Sequence, residues 1–271
     1  MEHINNQAAI GVFDSGVGGL TVMQQMMHVL PCERFIYFGD TARVPYGEKS
    51  PETIIRYSIE NSIFLMEHKI KLLVVACNTA SAYSLEKLRT LFHIPIVGVV
   101  EPGVSAVLAK TKNKRIAILG TKGTIKSDVY QVAIKERDPD AHVISIACPL
   151  FVPLVEERLV DHPATRLLIK EYLAPLKEEQ VDTVLLACTH YPLLRTLIQE
   201  ELGPDVNVVD SATTCAEQVA ALLQAQEGSG QHVIENAATF FVSDDPEKFR
   251  LIGKDFLGMH IPHVQLILPK N

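Results

Sequence analysis

Residues 70–83 read IKLLVVACNTASAY, and residues 181–194 read VDTVLLACTHYPLL. Each is an apolar run ending in Ala-Cys, followed by small polar residues and a stretch of helical character. Apolar side chains on successive positions, rather than alternate ones, mark a strand covered on both faces. A second pair echoes the first: AIGVFDSGVGGLT (9–21) is similar to RIAILGTKGTIKS (115–127). Each half therefore opens with strand–turn–helix and goes on to a strand ending in cysteine. This predicts an α/β protein of two similar parallel-sheet domains facing each other. Chance likeness between buried strands is the competing reading, and the matched polar continuation after both cysteines weighs against it.

Outward from these segments, strands are predicted at 8–14, 34–40, 71–77, 94–100, 114–120, 142–148, 182–188 and 206–210. Helical segments fall between them, at 51–68, 81–92, 124–136, 164–177, 191–202 and 212–226. A regular βαβα alternation implies parallel sheets with right-handed crossovers. Past residue 226 the pattern loosens. EGSG (227–230) reads as a flexible loop, followed by a strand near 237–243 and a helix near 246–257.

The chain of 271 residues is 47% hydrophobic, enough core for one large domain or two medium ones. A net charge of −7 argues against a nucleic-acid partner, which usually meets a basic face. No apolar run approaches the roughly 20 residues of a membrane helix. The opening MEHINNQAAI has no basic segment leading into an apolar one, so no signal peptide is visible. The five cysteines (Cys32, Cys77, Cys148, Cys188 and Cys215) are widely spaced and form no C-x-x-C pair. That pattern suits neither a disulfide framework nor a structural zinc site, and it reads as a reduced, cytoplasmic protein.

The strands end on Asp14, Asp40, Cys77, Gly120, Cys148, Cys188 and Asp210. Open parallel sheets bind ligands outside these carboxyl ends. If the domains face each other, Cys77 and Cys188 line one cleft from opposite sides. Each cysteine precedes a predicted helix, with Asn78 and Thr79 as caps after Cys77 and Thr189 after Cys188. A helix N-terminus favours negative charge and hence a thiolate. Two opposed thiols suit proton removal from one face of a carbon and delivery to the other, inverting the centre. His190 can relay or position a proton. Asp14 and Asp40 can orient a substrate ammonium or assist Cys77. The plainer readings are buried structural cysteines, a packing histidine and a helix-capping Asp14.

Other chemistries compete for the same residues. The cluster from Asp14 to Thr21 (DSGVGGLT) has the look of a dinucleotide fingerprint, with Asp40 near the ribose position. Its third glycine would fall at Thr21, and the Asp14 carboxylate would repel a pyrophosphate. Zinc held by Cys77, Cys188 and His190 lacks the short-spaced ligand pairs of such sites. A Cys–His hydrolase would leave one cysteine redundant. A scaffold that only binds a partner stays open.

Eight segments then carry a family resemblance: FDSGVGGLTV (13–22), YFGDTARVPYGEKS (37–50), VVACNTAS (74–81), VEPG (100–103), GTKGTIKS (120–127), CPLFVPLVE (148–156), LACTHYPLL (186–194) and VDSATTCA (209–216). In this order they closely resemble the glutamate racemase family, over about residues 9 to 220. The resemblance implies racemisation of glutamate without a cofactor, with Cys77 serving D-glutamate and Cys188 L-glutamate. It implies assisting roles for Asp14 and His190, and substrate contacts from Asp14, Ser15, Tyr46, Gly47, Asn78, Thr79, Thr189 and His190. Thr121 and Glu156 are weaker carry-overs. It also implies D-glutamate for peptidoglycan, a homodimer as an assembly common in the family, and an inserted second domain. The domains would then span 1–101 with 210–271, and 102–209. The superfamily also holds aspartate racemases, but the CTHYP form with His190 resembles the glutamate enzymes more.

Overall fold

The computed structural model describes residues 8–226 and 238–268. The first strand, β1 (Ile10–Asp14), leads into α1 (Leu20–Val29). There follow β2 (Phe35–Gly39), α2 (Pro51–Glu67), β3 (Leu72–Val75), α3 (Asn78–Leu91), β4 (Ile96–Gly98) and α4 (Val100–Lys110). A second run comprises β5 (Arg115–Gly120), α5 (Lys122–Lys126), α6 (Val129–Arg137), β6 (His142–Ala147), α7 (Phe151–Glu156) and α8 (Pro163–Leu173). It continues through β7 (Thr183–Ala187), α9 (Arg195–Leu202) and β8 (Asn207–Asp210). The chain then runs through α10 (Ser211–Gln226) and, further on, β9 (Ala238–Val242), α11 (Pro246–Leu257) and β10 (Val264–Leu266).

Among the described residues all strand pairs are parallel, and they form two sheets. One has the order β10-β9-β2-β1-β3-β4, the other β6-β5-β7-β8. Within the first, β2-β1-β3-β4 has the same arrangement as the whole of the second. The fold is thus two parallel-sheet α/β domains, and the sequence repeat corresponds to a repeated topology. The chain leaves the first sheet through α4 and comes back through α10, and these two helices pack on each other.

Successive side chains of the strands enter different cores. Ile10 and Val12 of β1 join the cluster formed with α1, α10 and α11, whereas Phe13 joins the one under α2 and α3. Leu72 and Val74 divide from Leu73 and Val75 in the same way. This two-sided burial is why the strands read as continuous apolar runs. Each fully buried Leu, Val, Phe or Met contributes about 1.5–3 kcal/mol by leaving water.

Several elements depart from the sequence reading. The helix expected at 124–136 is split into α5 and α6, because Asp128 takes a left-handed φ of 54° between them. The strand expected at 94–100 narrows to β4, its last apolar residues being spent on the first turn of α4. Pro175 lies where α8 gives way to a 3-10 turn at Ala174–Lys177, as expected of a residue that cannot continue the hydrogen-bond ladder. The strand β10 was not anticipated; it is three residues long and mostly exposed. The loop expected at 227–230 lies outside the described residues.

Candidate active site

Register decides which strand ends meet. Phe13 pairs with Val75, so the chain leaves β1 at Asp14 beside Ala76 and Cys77. In the other sheet Gly120 pairs with both Ala147 and Ala187, which brings Thr121, Cys148 and Cys188 to one edge. Between the two sheets lies a cleft of about 460 Å³. Ser15, Tyr46, Gly47, Cys77, Asn78 and Thr79 line it from one side, with Thr121, Glu156, Cys188, Thr189 and His190 on the other. Asp14 is not in the wall. Its side chain is fully buried behind it and accepts from the Gly16 amide at 2.9 Å.

Cys77 is itself the N-cap of α3, its Sγ accepting from the Ala80 amide at 3.4 Å. Asn78 and Thr79, expected as caps, are instead the first helical residues, because helical backbone begins directly after the cysteine. The Cys77 thiol also faces Ser15 Oγ at 3.8 Å. Burial and the nearby Asp14 carboxylate outweigh the amide and push this thiol up to about 12, so at neutral pH it carries its proton.

Cys188 is placed differently. No helix starts directly after it: a 3-10 turn covers Tyr191–Leu194, with His190 at its N-cap. Thr189 does not cap that turn either. Its hydroxyl points across the cleft base to Asp14 Oδ1 at 3.4 Å, and its carbonyl accepts from Thr21 Oγ1 at 3.0 Å. The expected helix dipole is therefore replaced by an imidazole. His190 Nδ1 lies 3.9 Å from Cys188 Sγ, and Nε2 lies 2.9 Å from Glu156 Oε1. Burial works against a charge on His190, yet hydrogen bonds and charge from Cys188 and Glu156 prevail and push it up to about 10. Glu156 is correspondingly held below the usual carboxylate range by His190, against its own burial. Cys77 and Cys188 therefore sit in different settings, one behind a helix N-terminus and the other beside the imidazole of His190.

Polar contacts join the two walls. Thr79 Oγ1 meets Thr121 Oγ1 at 2.9 Å and Thr124 Oγ1 at 3.0 Å. Tyr46 and Gly47 enter the wall on a loop with a cis Val44–Pro45 bond. The Tyr46 hydroxyl is turned away from the cleft, donating to Asp40 and accepting from Asn61 Nδ2 at 3.0 Å. Asp40 is therefore not at the cleft. It also holds Arg43 at 2.8 Å and Ser243 Oγ at 2.9 Å, as an anchor for this loop. The apolar part of the wall, Val44, Pro45, Leu150 and Val152, was not anticipated as cleft-lining. Its signal was available in VPYG and CPLFVP, which follow strand ends.

The profile of the Asp/Glu/Hydantoin racemase family matches residues 18–219. A glutamate racemase of Geobacter metallireducens is 51% identical over 250 residues, which is 92% of this chain and 93% of the relative. The crystal structure of a Bacillus anthracis glutamate racemase isoform superposes with a TM-score of 0.90 at 39% identity, covering 97% of this chain and 98% of that one. A Francisella tularensis glutamate racemase, solved in complex with D-glutamate, gives 0.88 at 34%, covering 97% and 98%. The chain belongs to the family of aspartate, glutamate and hydantoin racemases and is an amino-acid racemase. Within that family it stands with the glutamate racemases.

Proposed function

We propose that the chain interconverts L- and D-glutamate by a two-base mechanism without a cofactor, using Cys188 and Cys77. The observation that carries this reading is the pair of cysteines lining one cleft from its two walls, with His190 Nδ1 3.9 Å from Cys188 Sγ. The Cys188 thiolate, facing the His190 imidazolium, removes the α-proton of L-glutamate. The Cys77 thiol delivers its proton to the opposite face, and D-glutamate results. In the reverse direction Cys77 acts as base and Cys188 as acid, with His190 and Glu156 holding the charge on that side. Holding both sulfurs against one carbon replaces a bimolecular encounter with an oriented one.

Substrate charges find complements in the wall. The hydroxyls of Ser15, Thr79, Thr121 and Thr189 and the amide of Asn78 suit the carboxylates, and the backbone of Tyr46 and Gly47 closes over them. Asp14 acts from behind the wall, through Thr189 and through its field on Cys77. The domains of this reading are 1–101 with 210–271, and 102–209. The packing of α10 on α1 and the joining of β9 and β10 to the first sheet support that division. As in the family, D-glutamate made here serves peptidoglycan synthesis, in the cytoplasm where such thiols stay reduced. Among the described residues, no helix is long and apolar enough to cross a membrane.

The test is purified protein with L-glutamate in heavy water and no added cofactor, followed by circular dichroism and mass spectrometry, with L-aspartate in parallel. Loss of optical signal with deuterium entering the α-carbon of glutamate alone is expected. Exchange confined to aspartate would overturn the substrate, and no exchange would overturn the mechanism.

A further inference from the structure

Asn78 is the first residue of α3 and lines the cleft, yet it is only 2% exposed. Its two amide atoms have different surroundings. Oδ1 accepts from the hydroxyl of Tyr130 at 2.5 Å, across the junction between the two sheets. Nδ2 has no hydrogen-bond partner, and among the described residues it is the buried side-chain nitrogen or oxygen left in this state. A buried unsatisfied donor is costly, and a ligand carrying an acceptor would offset that cost.

Tyr130 belongs to α6 and is itself buried, at 2% exposure. It sits where the chain crosses between sheets. Its ring packs against Gly103 of α4, where a Cβ would come within 3.2 Å, and Ser211 at the start of α10 meets the same glycine. Burial keeps the phenol well above its ordinary range and so neutral. A phenol has one proton to give. The phenol gives that proton to Asn78 Oδ1. With Oδ1 held by the phenol, the amide turns its unpartnered NH2 group to the cleft that Asn78 lines. The opposite flip would aim a carbonyl oxygen at an anionic substrate.

We infer that Tyr130 is a positioning residue for substrate binding: it fixes the Asn78 carboxamide so that Nδ2 donates to a substrate carboxylate, and it does so from the opposite domain. The amide is thereby set correctly only when the two halves are docked. This inference rests on the racemase reading above and adds to it the residue that orients one of its carboxylate donors.

The experiment is a double-mutant cycle of Tyr130→Phe and Asn78→Ala, with kcat and KM measured for L- and D-glutamate and D-glutamate affinity measured by calorimetry. Tyr130→Phe is expected to raise KM and Kd about 10-fold, the worth of one charge-assisted hydrogen bond, with kcat changed less. On the Asn78→Ala background it is expected to add less than about 2-fold, since residues acting through one contact are not additive. Unchanged KM in Tyr130→Phe, or equal effects on both backgrounds, would overturn the inference. Should Tyr130→Phe not fold, Asn78→Asp carries the test. It keeps the bond from Tyr130 but turns an acceptor to the cleft, so KM rises further than in Asn78→Ala, and an equal or lower KM overturns the inference. Wild-type protein run alongside separates the two readings: failure of α-deuterium exchange there sinks the racemase reading, whereas a silent Tyr130→Phe with active wild type sinks this one alone.

Discussion

Gly18 lies directly against His190: a Cβ on the glycine would stand 2.5 Å from Nδ1, the nitrogen that faces Cys188. The same Cβ would be 2.3 Å from Thr189 Oγ1. The first-half glycine cluster thus makes room for Thr189 and His190 of the second half. Gly18→Ala is expected to leave the fold intact and to cut kcat from L-glutamate by about 10-fold or more, because small misplacements of reacting groups are costly. Wild-type kinetics in this variant would show that His190 tolerates displacement.

Cys77→Ala and Cys188→Ala are each expected to lower racemisation by at least about 100-fold, the usual contribution of a placed general acid or base. Circular dichroism should remain native for both, since each removes a single sulfur. Full activity in either variant would contradict the two-base mechanism.

The His190–Glu156 pair gives stability a sign with pH. His190 is raised from 6.5 to about 10 in the fold, so its contribution is complete below pH 6.5 and is lost as pH rises towards about 10. Cys77, raised from 9.0 to about 12, acts in the same sense above pH 9. Wild-type Tm should therefore fall more steeply between pH 6.5 and 10 than that of His190→Gln. Parallel slopes in the two proteins would mean that His190 is not held charged.

Asp40→Asn probes the loop anchor. The buried carboxylate is shared by Arg43, Tyr46 and Ser243, and breaking one side of a buried ion pair costs about 3–5 kcal/mol. Urea unfolding is expected to show a loss of about that size. A loss under about 1 kcal/mol would show that the network contributes little to holding Tyr46 and Gly47.

What the sequence revealed and what it hid follow a physical divide. Apolar runs are local, so the strands, their two-sided burial and the repeat around Cys77 and Cys188 were legible, as was the resemblance carried by the strand-end motifs. Contacts made by the tertiary fold were not. Nothing in CTHYP indicates that His190 meets Glu156, and nothing in the segment around Tyr130 points to Asn78. Capping was misjudged for a related reason. Side-chain propensity favoured Asn78, Thr79 and Thr189 as caps, but α3 begins one residue after Cys77, and after Cys188 a 3-10 turn begins only at Tyr191. Asp40 looked like a site carboxylate because Ser243, which occupies it, lies 203 positions away.

The sheet order β10-β9-β2-β1-β3-β4 has a consequence for the making of the protein. During synthesis the early strands leave the ribosome first, but the free edge of β2 waits for β9, which is translated near the end. The second sheet needs only the contiguous stretch from β5 to β8, so it can be complete while the first is still missing two strands. Pairing over so long a span is slow, and an open apolar edge is prone to adhere to other chains. Arrival of β9 covers that edge and brings Ser243 to Asp40, tying the Tyr46 loop in place. A truncated nascent chain therefore carries both cysteines yet lacks this anchor for one wall of its cleft.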